Sequence, residues 1–419
     1  MFFSFHHWFF YKLGNMFNVL IICLNPNSLG NAVEEIRFSI IKAKKENKKL
    51  IFFFCKFADF YTKQKVIDPE ILKLTNEYTC IKYNSFFYQA ISIFFSLFFL
   101  VEKIIYNFYF KLFNKPNGYY YRPMIGQDVI WRPNPDVLNY NLKSLQKNSW
   151  NKEINNFNFK IPKKIINEFK KKIKYLGLPK DSWFVCLHCR SGLYRKDWNN
   201  VYNINIESYY PSIRYITEKK GGYVIILGDE PFKDIKKFKN VINYPASEHR
   251  SILMDFVLIK YCKFYIGGGS GPTDITMLLK KKYLLTNSQT WVFGIGALNN
   301  SLTLWKNAFS KSKNRILKID ELLSDNFRIS ENKDDWNCND LIMLQNTKKE
   351  ILDSVKKMFQ KKIKLNKVNK KLEKSFQNLI KYFKWDNANN LENVNYWYRM
   401  SKTSNMFNIK GNLGNHLKK

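Results

Sequence analysis

The sequence is poor in several features that mark common classes of protein. Acidic residues are scarce, since 34 Asp and Glu stand against 69 Lys and Arg, which gives a formal charge of +35 over 419 residues. Long apolar runs are missing: the most membrane-like segment, residues 86–101, is interrupted by Gln89 and Ser92, and a spanning helix needs about 20 apolar residues. The first residues offer no basic region and no small-residue cleavage site, so we expect no secretory signal.

Cysteine is also sparse, with seven residues spread over the chain. Several lie inside apolar runs, where a free thiol behaves as a small hydrophobic group. This usage indicates a reducing compartment and argues against a disulfide-stapled secreted domain. Cys186 and Cys189 have the spacing of a redox or zinc pair, but no second ligand pair follows at metal spacing. We interpret residues 183–187 as a buried strand and expect no metal.

Hydrophobic residues are abundant enough to form a large core, since they make up 45% of the chain and aromatic residues make up 17%. Disorder and fibrous repeats are therefore excluded, and the length suits two or three domains. Two short apolar runs, residues 17–24 and 50–54, flank a segment with apolar residues at helical spacing. This order predicts a βαβ unit with a parallel sheet.

A second series of strands and helices follows a stretch rich in Pro, Tyr and Asn, which indicates loops and a linker. After a helix predicted over 162–176, strands are predicted at 183–188, 223–227, 263–266 and 283–286, with helices near 206–219, 250–260 and 273–280. The sequence therefore predicts an α/β fold with two Rossmann-like domains that face a cleft. Its parts are an N-terminal domain at 16–115, a linker at 116–160, a C-terminal domain at 161–335 and a helical basic tail at 336–419.

The tail carries much of the charge, with 18 Lys and Arg against 6 Asp and Glu in residues 340–419. We predict a helix over 340–365 whose apolar stripe contains Ile342, Ile351, Val355 and Met358. The rest of the tail is expected to be drawn to an anionic membrane as a peripheral contact.

The strongest motif is His188-Cys-Arg190-Ser-Gly192-Leu-Tyr-Arg195-Lys-Asp197, which follows a predicted strand. An Arg just past the carboxyl end of a strand projects into the crevice where doubly wound folds bind ligands. Its planar guanidinium suits a phosphate, and Gly192 would allow the backbone a close approach. The alternative is that Arg190 pairs with a carboxylate of the linker.

The second motif is a glycine-rich turn between a strand and a helix, with Gly269, Ser270, Gly271 and Thr273 at its end. Backbone N–H groups and the positive end of a helix make such a turn a site for a pyrophosphate or sugar phosphate. It is neither a Walker loop nor a GxGxxG turn. A plain tight turn is the alternative.

Further candidates lie at other predicted strand ends. Asp229 could contact a ribose or sugar hydroxyl, or could cap the next helix. Glu248 and His249 precede the helix at 250–260. A single His at a helix start is more often structural.

These motifs resemble a family of bacterial glycosyltransferases found among genes for surface polysaccharide and lipopolysaccharide. The resemblance covers residues 180–290 and rests on His188, Arg190, Gly192 and Tyr194, Tyr209 and Tyr210, Gly221 and Gly222, Gly228 and Asp229, Ser247 and Glu248, Met254 and Asp255, Cys262 and Gly267, Ser270 and Gly271, and Leu285 to Asn287. More remotely, the His-x-Arg motif is similar to that of GT-B fucosyltransferases, in which the Arg grips the donor diphosphate. Ser191 stands where those enzymes commonly carry a second Arg, which argues against GDP-fucose.

The resemblance implies a GT-B glycosyltransferase that transfers a hexose or deoxyhexose from a nucleotide-sugar, without metal or other cofactor. The acceptor would be a surface glycan or a lipid-linked molecule, bound by the first domain near Ser28 and Gly30. Asp197 is the first candidate for the general base and Glu248 the second. The residues expected at the donor are His188, Arg190, Gly192, Arg195, Asp229, Gly269, Ser270, Gly271 and Thr273. We expect the protein in the cytoplasm, with the inner face of the cytoplasmic membrane as an open alternative.

Two rival classes are considered. A nucleic-acid-binding protein would account for the charge, but the basic residues are dispersed and no helix-turn-helix, RNP or zinc motif is present. We therefore do not expect nucleic acid as a partner. A non-catalytic subunit that binds a nucleotide-sugar or a glycan would share the fold, and it stays open.

Overall fold

The chain forms two compact units. Unit 1 contains residues Met1–Ile165 and Asn395–Met400, and unit 2 contains residues Ile166–Val394 and Ser401–Lys419. The computed structural model describes residues 13–24, 28–54, 56, 66–112, 156–191, 203–228, 232, 235, 237–288, 301–317, 340–361 and 412–413.

Unit 1 begins with the predicted βαβ arrangement. Strand β1 (Val19–Cys23), helix α1 (Leu29–Glu46) and strand β2 (Lys49–Phe53) follow one another. The two strands pair in parallel, from Val19 opposite Lys49 to Cys23 opposite Phe53. Apart from the partly exposed Val19, their apolar side chains are buried, and α1 is followed by its C-cap Asn47, which takes a left-handed conformation. The predicted strands, helix and parallel pairing are therefore confirmed.

A short 3-10 helix (Pro69–Thr75) and a long helix, α2 (Phe86–Leu112), complete the described part of unit 1. The ring of Phe95 in α2 lies 4.9 Å from the ring of Phe53 in β2, so one face of α2 is anchored on the sheet. Across the described part of the chain, no helix combines the length and the apolar character that crossing a membrane requires.

Helix α3 (Lys163–Ile173) leads into unit 2, whose elements alternate as the apolar runs predict. In chain order they are β3 (Phe184–His188), α4 (Tyr210–Arg214), β4 (Tyr223–Leu227), β5 (Val241–Asn243), α5 (Ile252–Tyr261), β6 (Tyr265–Gly267), α6 (Gly271–Leu278), β7 (Tyr283–Ser288), β8 (Leu302–Trp305), β9 (Asn307–Ser310), β10 (Arg315–Ile316), β11 (Leu341–Leu344), α7 (Lys348–Met358) and β12 (Asn412–Leu413). A 3-10 turn (Ile206–Tyr209) precedes α4 and a π turn (Tyr215–Lys219) follows it, so the helix predicted over 206–219 is present but irregular.

The main sheet of unit 2 is parallel and doubly wound. Its strand order is β12-β8-β7-β6-β3-β4-β5, and every pair in it is parallel. From β3 the chain runs outward through β4 to β5, and then returns to place β6 on the other side of β3. The order therefore reverses between β3 and β6, and ligands bind in the crevice at such a switch point.

The predicted helix over 340–365 is only partly correct. Residues 341–344 form strand β11, which pairs antiparallel with β9, and Ile342 is 41% exposed. The helix is shorter, because α7 begins after Thr347, whose side chain makes a capping box with Glu350. The remaining members of the predicted apolar stripe, Ile351, Val355 and Met358, are buried in the core of unit 2.

Candidate functional site

Strand ends from both sides of the switch point meet at one edge of the sheet in unit 2. His188 is the last residue of β3, and it is flanked in register by Leu227 at the end of β4 and by Gly267 at the end of β6. Parallel strands place their carboxyl ends at the same edge. The His-x-Arg motif after β3 and the glycine-rich turn after β6 are therefore neighbours.

A side-chain hydrogen bond joins the two motifs across the switch point. Nδ1 of His188 lies 3.0 Å from Oγ of Ser270. His188 is buried, and its burial, with a smaller contribution from the positive charge of Arg190, lowers the pKa of the imidazole to about 4. The ring is therefore neutral at pH 7, with one ring nitrogen protonated and the other able to accept a hydrogen bond.

The second ring nitrogen of His188 faces the end of β4. A Cβ placed on Gly228 would lie 3.9 Å from Nε2, and Gly228 itself takes φ +137°, which side chains rarely adopt. Among the described residues, none is hydrogen-bonded to Nε2. A protonated Nε2 could donate to a phosphate oxygen, whereas an unprotonated Nε2 could accept from a sugar hydroxyl.

The chain just beyond β3 is held by Ile204. The Ile204 N–H donates to the Arg190 carbonyl at 3.0 Å, and the Cys189 thiol donates to the Ile204 carbonyl at 3.2 Å. Arg190 is half-buried, and its charge acts on the pKa of His188. The guanidinium therefore lies close enough to the neutral imidazole to act on it electrostatically.

The glycines of the turn are required by neighbouring side chains. A Cβ on Gly267 would lie 2.4 Å from Oη of the buried Tyr265, and a Cβ on Gly268 would lie 2.6 Å from Cδ1 of Ile204. Contacts this short force the neighbouring atoms to move. The turn is therefore packed tightly against Tyr265 of β6 and against Ile204.

Ser270 stands at the N-cap of α6, but its hydroxyl does not cap the helix. Its backbone is extended, with φ −169° and ψ 166°, and no N–H of α6 donates to its side chain. The hydroxyl instead contacts His188 Nδ1 and lies 3.3 Å from the Gly268 carbonyl. Helix N-termini carry partial positive charge and N–H groups that attract anions. The first turn of α6 keeps the partial positive charge, although Pro272 has no N–H to offer and the Thr273 N–H donates to the Ser270 carbonyl at 2.9 Å.

The side chain of Thr273 is bonded within the turn. Its hydroxyl donates to the Gly268 carbonyl at 2.7 Å and lies 3.2 Å from Tyr265 Oη. The residue is 2% exposed. The hydroxyl therefore holds the backbone of Gly268, and a contact of Thr273 with the donor stays a prediction.

Residues beneath the turn were not assigned a role from the sequence. Oη of Tyr209 contacts Oγ1 of Thr286, and this threonine hydroxyl lies 3.3 Å from the Gly267 carbonyl. Asn287 and Asn346 bond to each other through backbone N–H groups and side-chain oxygens, although 59 residues separate them. The motifs 209–210 and 285–287 were visible in the sequence, whereas nothing there marked Asn346.

The Cys186–Cys189 pair lies in and just after β3 and is buried. Burial raises the pKa of the Cys189 thiol, and burial together with contacts to Cys262 and Asp255 raises that of Cys186. Protonated, buried thiols are poor nucleophiles and poor ligands. Within the described ranges, no group of three or more His, Cys, Asp or Glu side chains has an arrangement that could hold a metal ion.

The other predicted site residues are scattered or lie outside the described residues. Glu248 follows β5, two strands away from β3, and its side chain is 87% exposed and lies 3.7 Å from His249 Nε2. Ser28 and Gly30 lie at the start of α1, in unit 1. The structure thus brings together His188, Arg190, Gly269, Ser270 and Gly271. Gly192, Arg195, Asp197 and Asp229 lie outside the described residues.

Comparison with known proteins gives little further information. No family model matches the chain, and no curated protein is found to be similar to it. Among solved structures, the chain is similar to a glycosyl transferase of family 9 from Veillonella parvula, with 10% identity and a TM-score of 0.25. The match covers 31% of this chain and 36% of that one, so it spans about a third of each. A TM-score of this size does not establish a shared fold.

Proposed function

We propose that the protein is a glycosyltransferase that moves a sugar from a nucleotide-sugar to a glycan or lipid-linked acceptor. Unit 2 binds the donor, with the diphosphate at the switch point between β3 and β6. The observation that carries the proposal is the hydrogen bond of His188 Nδ1 to Ser270 Oγ at 3.0 Å, which joins the ends of these two strands. Doubly wound sheets bind nucleotides at such switch points.

The site supplies positive charge where the leaving group develops negative charge. In glycosyl transfer the bond between sugar C1 and the diphosphate oxygen breaks, and both bonding electrons go to the diphosphate. Arg190 offers a planar guanidinium that can hold two phosphate oxygens, and the N-terminus of α6 offers N–H groups. Preorganised positive groups of this kind stabilise the transition state because they need little reorganisation.

The neutral His188 has a positioning role in this proposal. Because its ring stays neutral at pH 7, His188 adds no charge to the site and holds Ser270 through Nδ1. Nε2 is then available to a hydroxyl of the donor or to a phosphate oxygen. The new bond forms between an acceptor oxygen and C1, and the acceptor proton passes to a general base.

The identity of the base and the acceptor site rest on the sequence. Asp197 remains our first candidate for the base. Glu248 is the weaker one, because its carboxylate is exposed and follows β5 rather than β3. Ser28 and Gly30 belong, in this proposal, to the acceptor side of a GT-B enzyme. The proposal includes no metal and no further cofactor.

A thermal-shift screen of the full chain tests the proposal, with nucleotide-sugars and nucleoside diphosphates as ligands. A ligand that binds only the folded protein stabilises it by about 2.7 kcal/mol when present at 100 times its Kd. We expect one nucleotide class to raise the melting temperature, and its sugar form to be consumed when an acceptor is added. Stabilisation without turnover would support the non-catalytic alternative. The absence of any effect across all nucleotides would contradict the donor site.

A further inference from the structure

Helix α2 of unit 1 exposes apolar side chains to solvent, although a surface helix in water normally buries them. The described residues with exposed side chains in α2 are all apolar: Phe86, Phe87, Ala90, Ile93, Phe94, Leu97, Val101, Ile104, Phe108 and Leu112. At the 100° per residue of an α-helix they fall within an arc of about 120°. The described side chains thus form an apolar stripe along the outer side of the helix.

The inner face of α2 is comparatively polar. Ser92 and Ser96 are buried on it beside Tyr88 and Phe95. The Lys56 N–H donates to Ser96 Oγ at 2.8 Å, and the Lys56 ammonium contacts Gln89. A surface helix ordinarily turns its apolar stripe to the core and its polar residues to water. In α2, hydrogen bonds and two aromatic residues hold one face against unit 1. The described side chains of the opposite face are apolar and are exposed to solvent.

The exposed stripe is larger than a soluble surface normally carries. Nine large apolar side chains of α2 are between 46% and 81% exposed, which amounts to on the order of 1,000 Å² of apolar surface, against a few hundred Å² in an ordinary patch. The helix has 27 residues and is therefore about 40 Å long. Such a surface indicates an apolar partner that covers the whole length of the helix.

We propose that the exposed face of α2 docks on an anionic lipid bilayer, with the helix lying in the plane of the membrane. A helix of this kind buries its apolar face at the boundary of head groups and acyl chains. The charge of the chain selects this partner: at +35 it is attracted to anionic head groups, whereas a second copy of the chain carries the same charge and is repelled. The hydrogen bonds of the inner face keep α2 on unit 1, so one side of the helix stays out of the lipid.

Vesicle sedimentation of the full chain tests this proposal. We expect the protein to pellet with vesicles of phosphatidylcholine and phosphatidylglycerol, and less with phosphatidylcholine alone. The double variant Ile93→Glu with Leu97→Glu should weaken this binding about 100-fold, because two side chains lose their burial in lipid. The variant Phe94→Ser with Leu97→Ser should act in the same direction without added charge. Tyr175→Glu, at a residue of unit 2 that is 68% exposed, is the matched control and should bind as the wild type does.

Three results would overturn the proposal. The first is a wild-type protein that pellets with neither kind of vesicle. The second is vesicle binding that both α2 variants retain, because the basic tail alone would then account for it. The third is a wild-type dimer in light scattering that the α2 variants dissociate, because a second copy would then cover the stripe. Circular dichroism of each variant confirms that it is folded, and the Ser variant serves if the Glu variant is not.

Discussion

Replacing Gly267 with alanine should destabilise the turn on which the proposed site depends. The added Cβ would lie 2.4 Å from Tyr265 Oη and 2.7 Å from its Cζ, so the ring has to shift by about 1 Å to regain an ordinary contact. Tyr265 is fully buried, and its hydroxyl lies 3.2 Å from Thr273 Oγ1. Overpacking costs about 1–3 kcal/mol and a lost buried hydrogen bond about 1 kcal/mol. We expect Gly267→Ala to lower the free energy of unfolding by about 2–4 kcal/mol.

Urea unfolding measures this effect, because the midpoint falls at constant m when only stability changes. Gly177→Ala is the matched control: Gly177 takes φ +81° and no atom lies within 4 Å of the added Cβ, so only backbone strain of about 1 kcal/mol is expected. Tyr265→Phe combined with Gly267→Ala should cost less than the sum of the two single variants, because Phe lacks the Oη atom that lies nearest to the added Cβ. A Gly267→Ala variant as stable as the wild type would refute the packing of the turn.

Three further variants test separate parts of the structure. Burial raises the pKa of Asp255 to about 7 from 3.8 in spite of a hydrogen bond from Tyr244 and the charge of Arg250. The folded state therefore holds more protons than the unfolded state between about pH 4 and pH 7, so the wild type loses stability as the pH rises through this window. The Asp255→Asn variant has no such proton to lose. In urea titrations its free energy of unfolding should rise by about 2–4 kcal/mol relative to that of the wild type between pH 4 and pH 8. Ser270→Ala leaves His188 Nδ1 without its partner and should cost about 1–3 kcal/mol of stability by the same assay, while nucleotide binding in calorimetry should fall less than tenfold, since the N–H groups of α6 remain. Thr347→Ala removes the capping box of α7 and should cost about 1 kcal/mol. Ser182→Ala, outside any helix and with no hydrogen bond from its hydroxyl to a described residue, serves as its control.

The main sheet of unit 2 could be predicted where its strands are central. Residues 184–188 and 223–227 form continuous buried strands, which read directly as apolar runs bounded by turn residues. Strand β5 was missed because it has three residues, all partly exposed. The sequence predicts helix at 341–344 because four apolar residues fit either period, and only the pairing with β9 decides for a strand.

The candidate site could be predicted in its parts but not in its assembly. The sequence pattern predicts that Arg190 and Ser270 follow strands. It does not predict the strand order, which makes β3 and β6 neighbours in the sheet. The bond between His188 and Ser270 spans 82 residues, so no local pattern could reveal it. The bond from the Thr273 hydroxyl to the Gly268 carbonyl likewise becomes visible only in the folded turn.

Calorimetric binding of a nucleoside diphosphate to the wild type and to Arg190 variants tests the central claim most directly. The claim is that Arg190, beside the buried His188, holds the donor diphosphate. Loss of one charge-assisted phosphate contact should weaken binding about 10- to 150-fold in Arg190→Ala, and Arg190→Lys should recover little, because an ammonium cannot hold two oxygens in a plane. Arg214→Ala, which removes a guanidinium stacked 5.6 Å above the Phe238 ring, is the control and should bind as the wild type does. Folded Arg190→Ala protein with undiminished affinity would contradict the account.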